Sequence, residues 1–151
     1  GFSIDIWIAT DVSSADEILL DSRDITGKGV LVTKTNRSTV RVALNDGRQE
    51  ATWESGVGLL ETGKRHHVGI VVDGGPKIIT FAIDGTLCDG GDLQQFGWGR
   101  FSSTLRAPNG GETAIMSTSV RSLRIYGRAL RTSEIVGNYR AGIRQEVNGS
   151  L

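Results

Sequence analysis

Phe2, Ile4, Ile6 and Ile8 alternate with Ser3, Asp5 and Trp7. A period of two sends successive side chains to opposite faces of an extended strand, so such a segment is stable only where a sheet buries one of those faces. The same demand recurs along the chain. Val40, Val42 and Leu44 alternate with Arg41 and Ala43 and run into Asn45-Asp46-Gly47, a hairpin signal because glycine accepts positive φ without strain. His67 to Val72 and Lys77 to Ile83 flank Asp73-Gly74-Gly75-Pro76, which predicts a second hairpin with Pro76 opening the return strand. Shorter apolar runs at Ile18 to Leu20 and Val30 to Thr33, and a final strand bearing Val120, Leu123 and Ile125, complete the pattern. The 21 glycines are about twice the usual share, which suits a chain of many turns.

Between Thr86 and Gly111 the sequence is glycine-rich without a period, and it predicts a long loop with one embedded strand, Phe101 to Leu105. One helix of about ten residues is expected near the end. Thr132 is its N-cap, Glu134 lies in its first turn, Ile135, Val136 and Tyr139 share a face, and Gly142 stops it, leaving residues 143–151 as a tail. Many short antiparallel strands and a single helix predict an all-β fold, a two-sheet antiparallel sandwich with one short C-terminal helix, formed by residues 1–151 as a single domain.

Seventeen Lys and Arg balance seventeen Asp and Glu, so no net field recruits nucleic acid, and no nucleic-acid partner is expected. The apolar runs are far shorter than the roughly 20 residues of a membrane-spanning helix. A lone cysteine, Cys88, cannot form an internal disulfide and leaves the compartment open. The chain opens directly in strand-like sequence without Met, as expected of a piece of something longer.

Phe2 to Ile8, His66 to Asp73, Ile83-Asp84-Gly85, and Leu123 to Leu130 followed by Thr132 to Ile135 together resemble the laminin-G-like, concanavalin-A-type jelly-roll modules over nearly the whole chain. Within that group, Asp84-Gly85, Leu87 to Gly91 and Phe96 to Phe101 resemble bacterial modules appended to glycoside hydrolases, fructan-binding ones among them. The resemblance implies sugar binding without catalysis and an extracellular or envelope-exposed location. It also implies a strand ahead of Phe2, pairing beside the last strand, that is absent here, supplied by other sequence, or replaced. Where the family's last strand often carries an acid, this chain has Arg121-Ser122-Leu123, a departure that bears on the family's structural calcium.

His66 and His67 are adjacent on a strand and point to opposite faces, so they cannot share a metal or act as a catalytic pair. If Val68, Ile70 and Val72 face the core, His66 joins them and His67 points outward; structural roles are expected for both. Glycosidases need two carboxyl groups about 5 to 10 Å apart with one held protonated. Glu50 and Glu54 would share a face but lie about 13 Å apart along a strand. Sugar binding asks instead for an aromatic plane beside charged or amide groups. Arg23, Asp24, Arg48, Trp53, Glu54, Asp89, Trp98 and Arg100 offer those groups in or near loops and are the candidate ligand-binding residues. Trp98, between Gly97 and Gly99, is either a platform or a plug beside Phe96 and Phe101; Trp7, between isoleucines, reads as a packing residue. Asp21, Asp24, Asp73 and Asp84 offer oxygen ligands for calcium, but as turn residues each has an ordinary role as well.

The expected function is a non-catalytic carbohydrate-binding module of a larger secreted glycan-active protein. Its partners are a polysaccharide or oligosaccharide and an adjacent domain, with no required cofactor and calcium optional. The alternatives are an architectural or protein-interaction module and, third, a glycoside hydrolase.

Overall fold

A computed structural model describes residues 1–9 and 15–149, with the side chain of Leu93 excepted. The strands are β1 (Phe2–Ala9), β2 (Glu17–Asp21), β3 (Gly29–Lys34), β4 (Val40–Asn45), β5 (Glu50–Glu54), β6 (Arg65–Asp73), β7 (Ile78–Ile83), β8 (Thr86–Leu87), β9 (Trp98–Arg100), β10 (Ile115–Met116) and β11 (Val120–Tyr126), followed by helix α1 (Thr132–Gly149). They form two antiparallel sheets. One runs β11-β1-β6-β7-β8 with β9 also paired to β7, and the other runs β10-β2-β3-β4-β5.

The expected alternation sets the core. Ile4, Ile6 and Ile8 of β1, Val68, Ile70 and Val72 of β6, and Ile79, Phe81 and Ile83 of β7 meet Leu20, Val32, Val42 and Leu44 of the facing sheet. Full burial of each such side chain is worth about 1.5–3 kcal/mol, which is what holds the two layers together. The predicted hairpins are present: Arg41 to Asn45 pair with Glu50 to Glu54, and Val68 to Asp73 pair with Ile78 to Ile83. Pro76 lies in the turn rather than in the return strand; Lys77 has φ +61°, and β7 starts at Ile78.

Three expectations are corrected. The glycine-rich segment holds two short strands, β8 at its start and β9, Trp98–Arg100, while Phe101 to Leu105 form a turn that folds Phe101 and Leu105 back against the core. The helix is 18 residues long and continues through Gly142 to Gly149, so residues 143–149 are helical rather than a tail. Gly142 is present for contact, not termination: a Cβ there would lie 2.4 Å from the Trp7 ring. The cap sits one residue earlier than Thr132. The Arg131 carbonyl accepts the Ile135 N–H (3.2 Å), and the Glu134 carboxylate accepts the Arg131 N–H (2.8 Å), one half of a capping box. Arg128 clasps the same carboxylate at 2.9 and 2.6 Å, and these contacts pull the Glu134 carboxyl down to about 2.

Helix α1 covers the outer face of the six-stranded sheet. Ile135 sits over Gly69, and Tyr139 stacks on Trp7 with centroids 5.9 Å apart. This cover changes the reading of His67, which points away from the sandwich as expected yet is fully buried, tilted against Trp7 (5.0 Å) and Tyr139 (5.8 Å). Its Nε2 lies 3.1 Å from Asp5 Oδ1, but neither ring nitrogen makes an aligned hydrogen bond. Burial raises the Asp5 carboxyl, but His67, the Asn138 amide (2.8 Å) and the Arg124 charge outweigh it and hold Asp5 below its ordinary value. His66 faces inward as expected. Its Nδ1 lies 2.7 Å from Asp84 Oδ2, and its Nε2 accepts the Glu61 N–H at 2.9 Å.

Among the described residues nothing pairs with the outer edge of β11. Ile125 lies across from core residue Ile4 yet is 62 % exposed. Beside it an apolar groove of about 560 Å³ opens between the sheets, bounded by Phe2, Ile125, Phe101 and Leu105.

Candidate functional site

Strand β9 is short because it alternates glycine with large residues. Pairing sets Trp98 across from Thr80, Gly99 from Ile79 and Arg100 from Ile78. Ile79 faces the core, so Gly99 also faces inward, where a Cβ would strike the Trp53 ring at 2.4 Å. Trp98 and Arg100 are thereby displayed together on the outer face. Gly97 lets the chain cross the preceding loop, since a Cβ there would lie 1.7 Å from the Cys88 carbonyl oxygen.

Phe96, Trp98 and Arg100 form a ledge on this outer face. Phe96 stacks on Trp98 with centroids 5.0 Å apart and planes 16° from parallel, and the Arg100 guanidinium stands 5.5 Å from the Trp98 ring centre. Phe96 is 48 % exposed and Trp98 half-buried. Phe96 and the Arg100 guanidinium both lie over the Trp98 ring, so the more exposed Phe96 is the aromatic surface that can lie under the apolar face of a sugar ring while the guanidinium donates hydrogen bonds to hydroxyl or carboxylate oxygens.

The other sequence-selected residues divide among separate places. Asp89 adjoins the ledge through its backbone, but its carboxylate accepts the Gly91 N–H at 2.9 Å. Trp53 does not join the ledge; it fills the space between the sheet edges, where its Nε1 is buried without a partner. Glu54 lies on the outer face of the five-stranded sheet and is held by Arg37 (2.6 Å), Arg41 (3.1 Å) and the Thr39 hydroxyl. Burial raises its carboxyl, and those three partners more than reverse the effect. Arg23 forms a two-pronged pair with Asp21 at 2.9 and 2.7 Å. Asp24 accepts the backbone N–H groups of Thr26 (2.8 Å) and Lys28 (3.2 Å), and Arg48 projects from the β4–β5 turn.

The aspartates considered for calcium do not converge. Asp21 holds Arg23, Asp24 closes its own loop, Asp73 accepts the Gly75 N–H (3.0 Å), and Asp84 is tied to His66 and to the His67 N–H (2.8 Å). Among the described residues no three His, Cys, Asp or Glu side chains stand together as a group that could hold a metal ion.

The carboxyl groups Asp5, Asp21, Asp24, Asp46, Glu54, Glu61 and Glu134 are all shifted below their ordinary values. That is opposite to what a glycosidase's proton donor requires. Burial pushes the Cys88 thiol up to about 11, which makes it a poor nucleophile.

Phe96, Arg37 and Arg41 belong to these groupings although the residue pattern does not single them out. The available signal is the alternation Phe96-Gly97-Trp98-Gly99-Arg100, a period of two carrying all three large residues to one side.

Residues 1–136 match the family model described as the Concanavalin A-like lectin/glucanases superfamily, of laminin G type. The chain belongs to this family. The laminin-G-like domain superposes on the binding domain of botulinum neurotoxin DC in complex with SialylT with a TM-score of 0.67 at 13 % identity, covering 93 % of this chain and 35 % of the other. On the CBM40 of Ruminococcus gnavus IT-sialidase bound to α2,3-sialyllactose the TM-score is 0.61 at 18 % identity, covering 91 % and 82 %. On the leech intramolecular trans-sialidase it is 0.62 at 16 %, covering 90 % and 22 %. The laminin-G-like domain thus spans about a third of the neurotoxin binding domain and about four-fifths of the CBM40 module. At these identities the likeness establishes the fold. No curated protein sequence matches the chain. No helix among the described residues is long and apolar enough to cross a membrane.

Proposed function

We propose that this laminin-G-like domain is a non-catalytic carbohydrate-binding module of a larger secreted, glycan-active bacterial protein, which it keeps near its polysaccharide. The observation that carries the reading is the Phe96–Trp98 stack bordered by Arg100 on an open outer surface. The kinship with a CBM40 module that binds sialyllactose supports the same class of ligand. No cofactor takes part and calcium is optional, so a chelator leaves binding intact. Affinity is modest, because a sugar hydroxyl exchanges water for protein at little net gain and stacking supplies much of the rest.

The test is tryptophan emission during titration with a panel containing fructans and sialyllactose. At least one glycan shifts or quenches the emission, and Trp98→Ala weakens that glycan's binding about tenfold or more, a loss near 1.4 kcal/mol. Unchanged binding in Trp98→Ala refutes the ledge. A second reading, an architectural or protein-interaction module packed on an adjacent domain, draws on the groove beside Ile125, and silence across the whole glycan panel would favour it.

A further inference from the structure

At the opposite edge of the six-stranded sheet from the ledge's β7–β9 border, helix α1 and strands β1 and β11 enclose a second, open cleft of about 620 Å³, within the range of small-molecule sites. Trp7 forms its wall, with Tyr139 stacked on the indole and the Arg65 guanidinium 4.8 Å from the ring centre. Arg65 is also paired with Glu146 at one end of the cleft, where the two charges offset each other.

Arg124 differs. Register places it across from Asp5, but the Asp5 carboxylate is already engaged, Oδ2 by the Asn138 amide at 2.8 Å and Oδ1 beside His67 Nε2 at 3.1 Å. Arg124 is exposed at the cleft and forms no ion pair or hydrogen bond among the described residues. Around it stand neutral polar side chains, Ser122, Asn138 and Gln145. The helix contributes small residues here: Gly142 admits the indole, and a Cβ at Gly149 would meet nothing within 4 Å.

We propose that this cleft is a second binding site, for a sugar acid of mono- or disaccharide size. The carboxylate meets the Arg124 guanidinium, whose planar fork matches it with two parallel hydrogen bonds. Ser122, Asn138 and Gln145 take the hydroxyl groups. The site shares no residue with the ledge, so the two stand or fall separately.

The experiment is a ¹⁵N NMR titration of the whole chain with D-glucuronate, with D-glucose as the neutral counterpart. Glucuronate shifts the Trp7 indole N–H and the side-chain amides of Asn138 and Gln145, whereas glucose does not. Arg124→Gln weakens the glucuronate effect about tenfold or more while circular dichroism and Tm stay unchanged, as for an exposed residue. Trp98→Ala leaves it intact. Equal shifts with glucose, no shift with either sugar, or undiminished binding in Arg124→Gln overturns the proposal. Loss of the glucuronate shifts in Trp98→Ala overturns it too, by assigning the acid to the ledge.

Discussion

Helix α1 is held on its sheet by a contact that admits no extra atom. A methyl group on Gly69 would lie 2.5 Å from Ile135 Cγ2 and 3.1 Å from Cδ1, whereas unstrained carbon contacts lie near 3.5–4.0 Å. Ile135 is 1 % exposed, and its β-branched side chain has essentially one helical χ1, so it cannot swing aside. Gly69→Ala therefore forces the helix outward by roughly 1 Å. Overpacking of this kind costs about 1–3 kcal/mol, and restricting the unfolded chain returns about 0.4–1 kcal/mol. The net loss is up to about 2.6 kcal/mol, a Tm drop of up to roughly 10 °C for a chain of this size. Ile135→Ala alone costs about 2–5 kcal/mol through the cavity it opens. In that background the added methyl has room, so Gly69→Ala becomes neutral or slightly stabilising, and the double-mutant cycle gives a coupling of about 1–3 kcal/mol. Urea unfolding of the four proteins measures it. Additivity to within about 0.5 kcal/mol would refute the contact as the determinant of docking.

Asp46 accepts the N–H groups of Arg48 (2.8 Å), Gln49 (2.9 Å) and Arg106 (2.9 Å), with the Arg106 bond first among the causes that bring its carboxyl to about 2. Because the folded-state value is depressed, its stabilisation is complete above the unfolded value near 3.9 and disappears as pH falls towards 2. Asp46→Asn should flatten the Tm-against-pH curve across that window, and an unaltered slope would contradict the assignment. Glu54→Ala should lower stability by about 1–2 kcal/mol, kept modest because Arg37 and Arg41 are 51 % and 40 % exposed, and should leave glycan affinity unchanged. Weaker glycan binding, measured by the same fluorescence titration, would return Glu54 to the ligand-binding set.

What the sequence made legible follows from how local each determinant is. Alternation in Phe2 to Ile8 and His66 to Asp73 is enforced residue by residue, and the core formed as that periodicity requires. The laminin-G-like resemblance agreed with it. Gly142 misled because glycine ends helices for backbone reasons, whereas here it answers to Trp7, 135 positions earlier, and no local pattern carries that contact. Phe101 to Leu105 looked like a strand for having apolar ends, but a turn achieves the same inward placement. For the site, residue chemistry alone could nominate Arg23, Glu54 and Trp98 together, but only the fold could separate them. Arg23 faces Asp21, Glu54 faces two arginines, and Trp98 remains open beside Arg100.

Among the described residues the border of β11 is unpaired, which gives the molecule a sticky side. Its peptide groups form a ready template for another extended segment, and Ile125, though set in register with the core, sits largely in water to greet whatever arrives. Under the proposed role as part of a larger protein, a neighbouring segment can use that border as a dock, while in isolation it is where copies of the chain would zip together. A lysine at Ile125 would act as a gatekeeper against such self-association while sparing the aromatic ledge and the helix cleft.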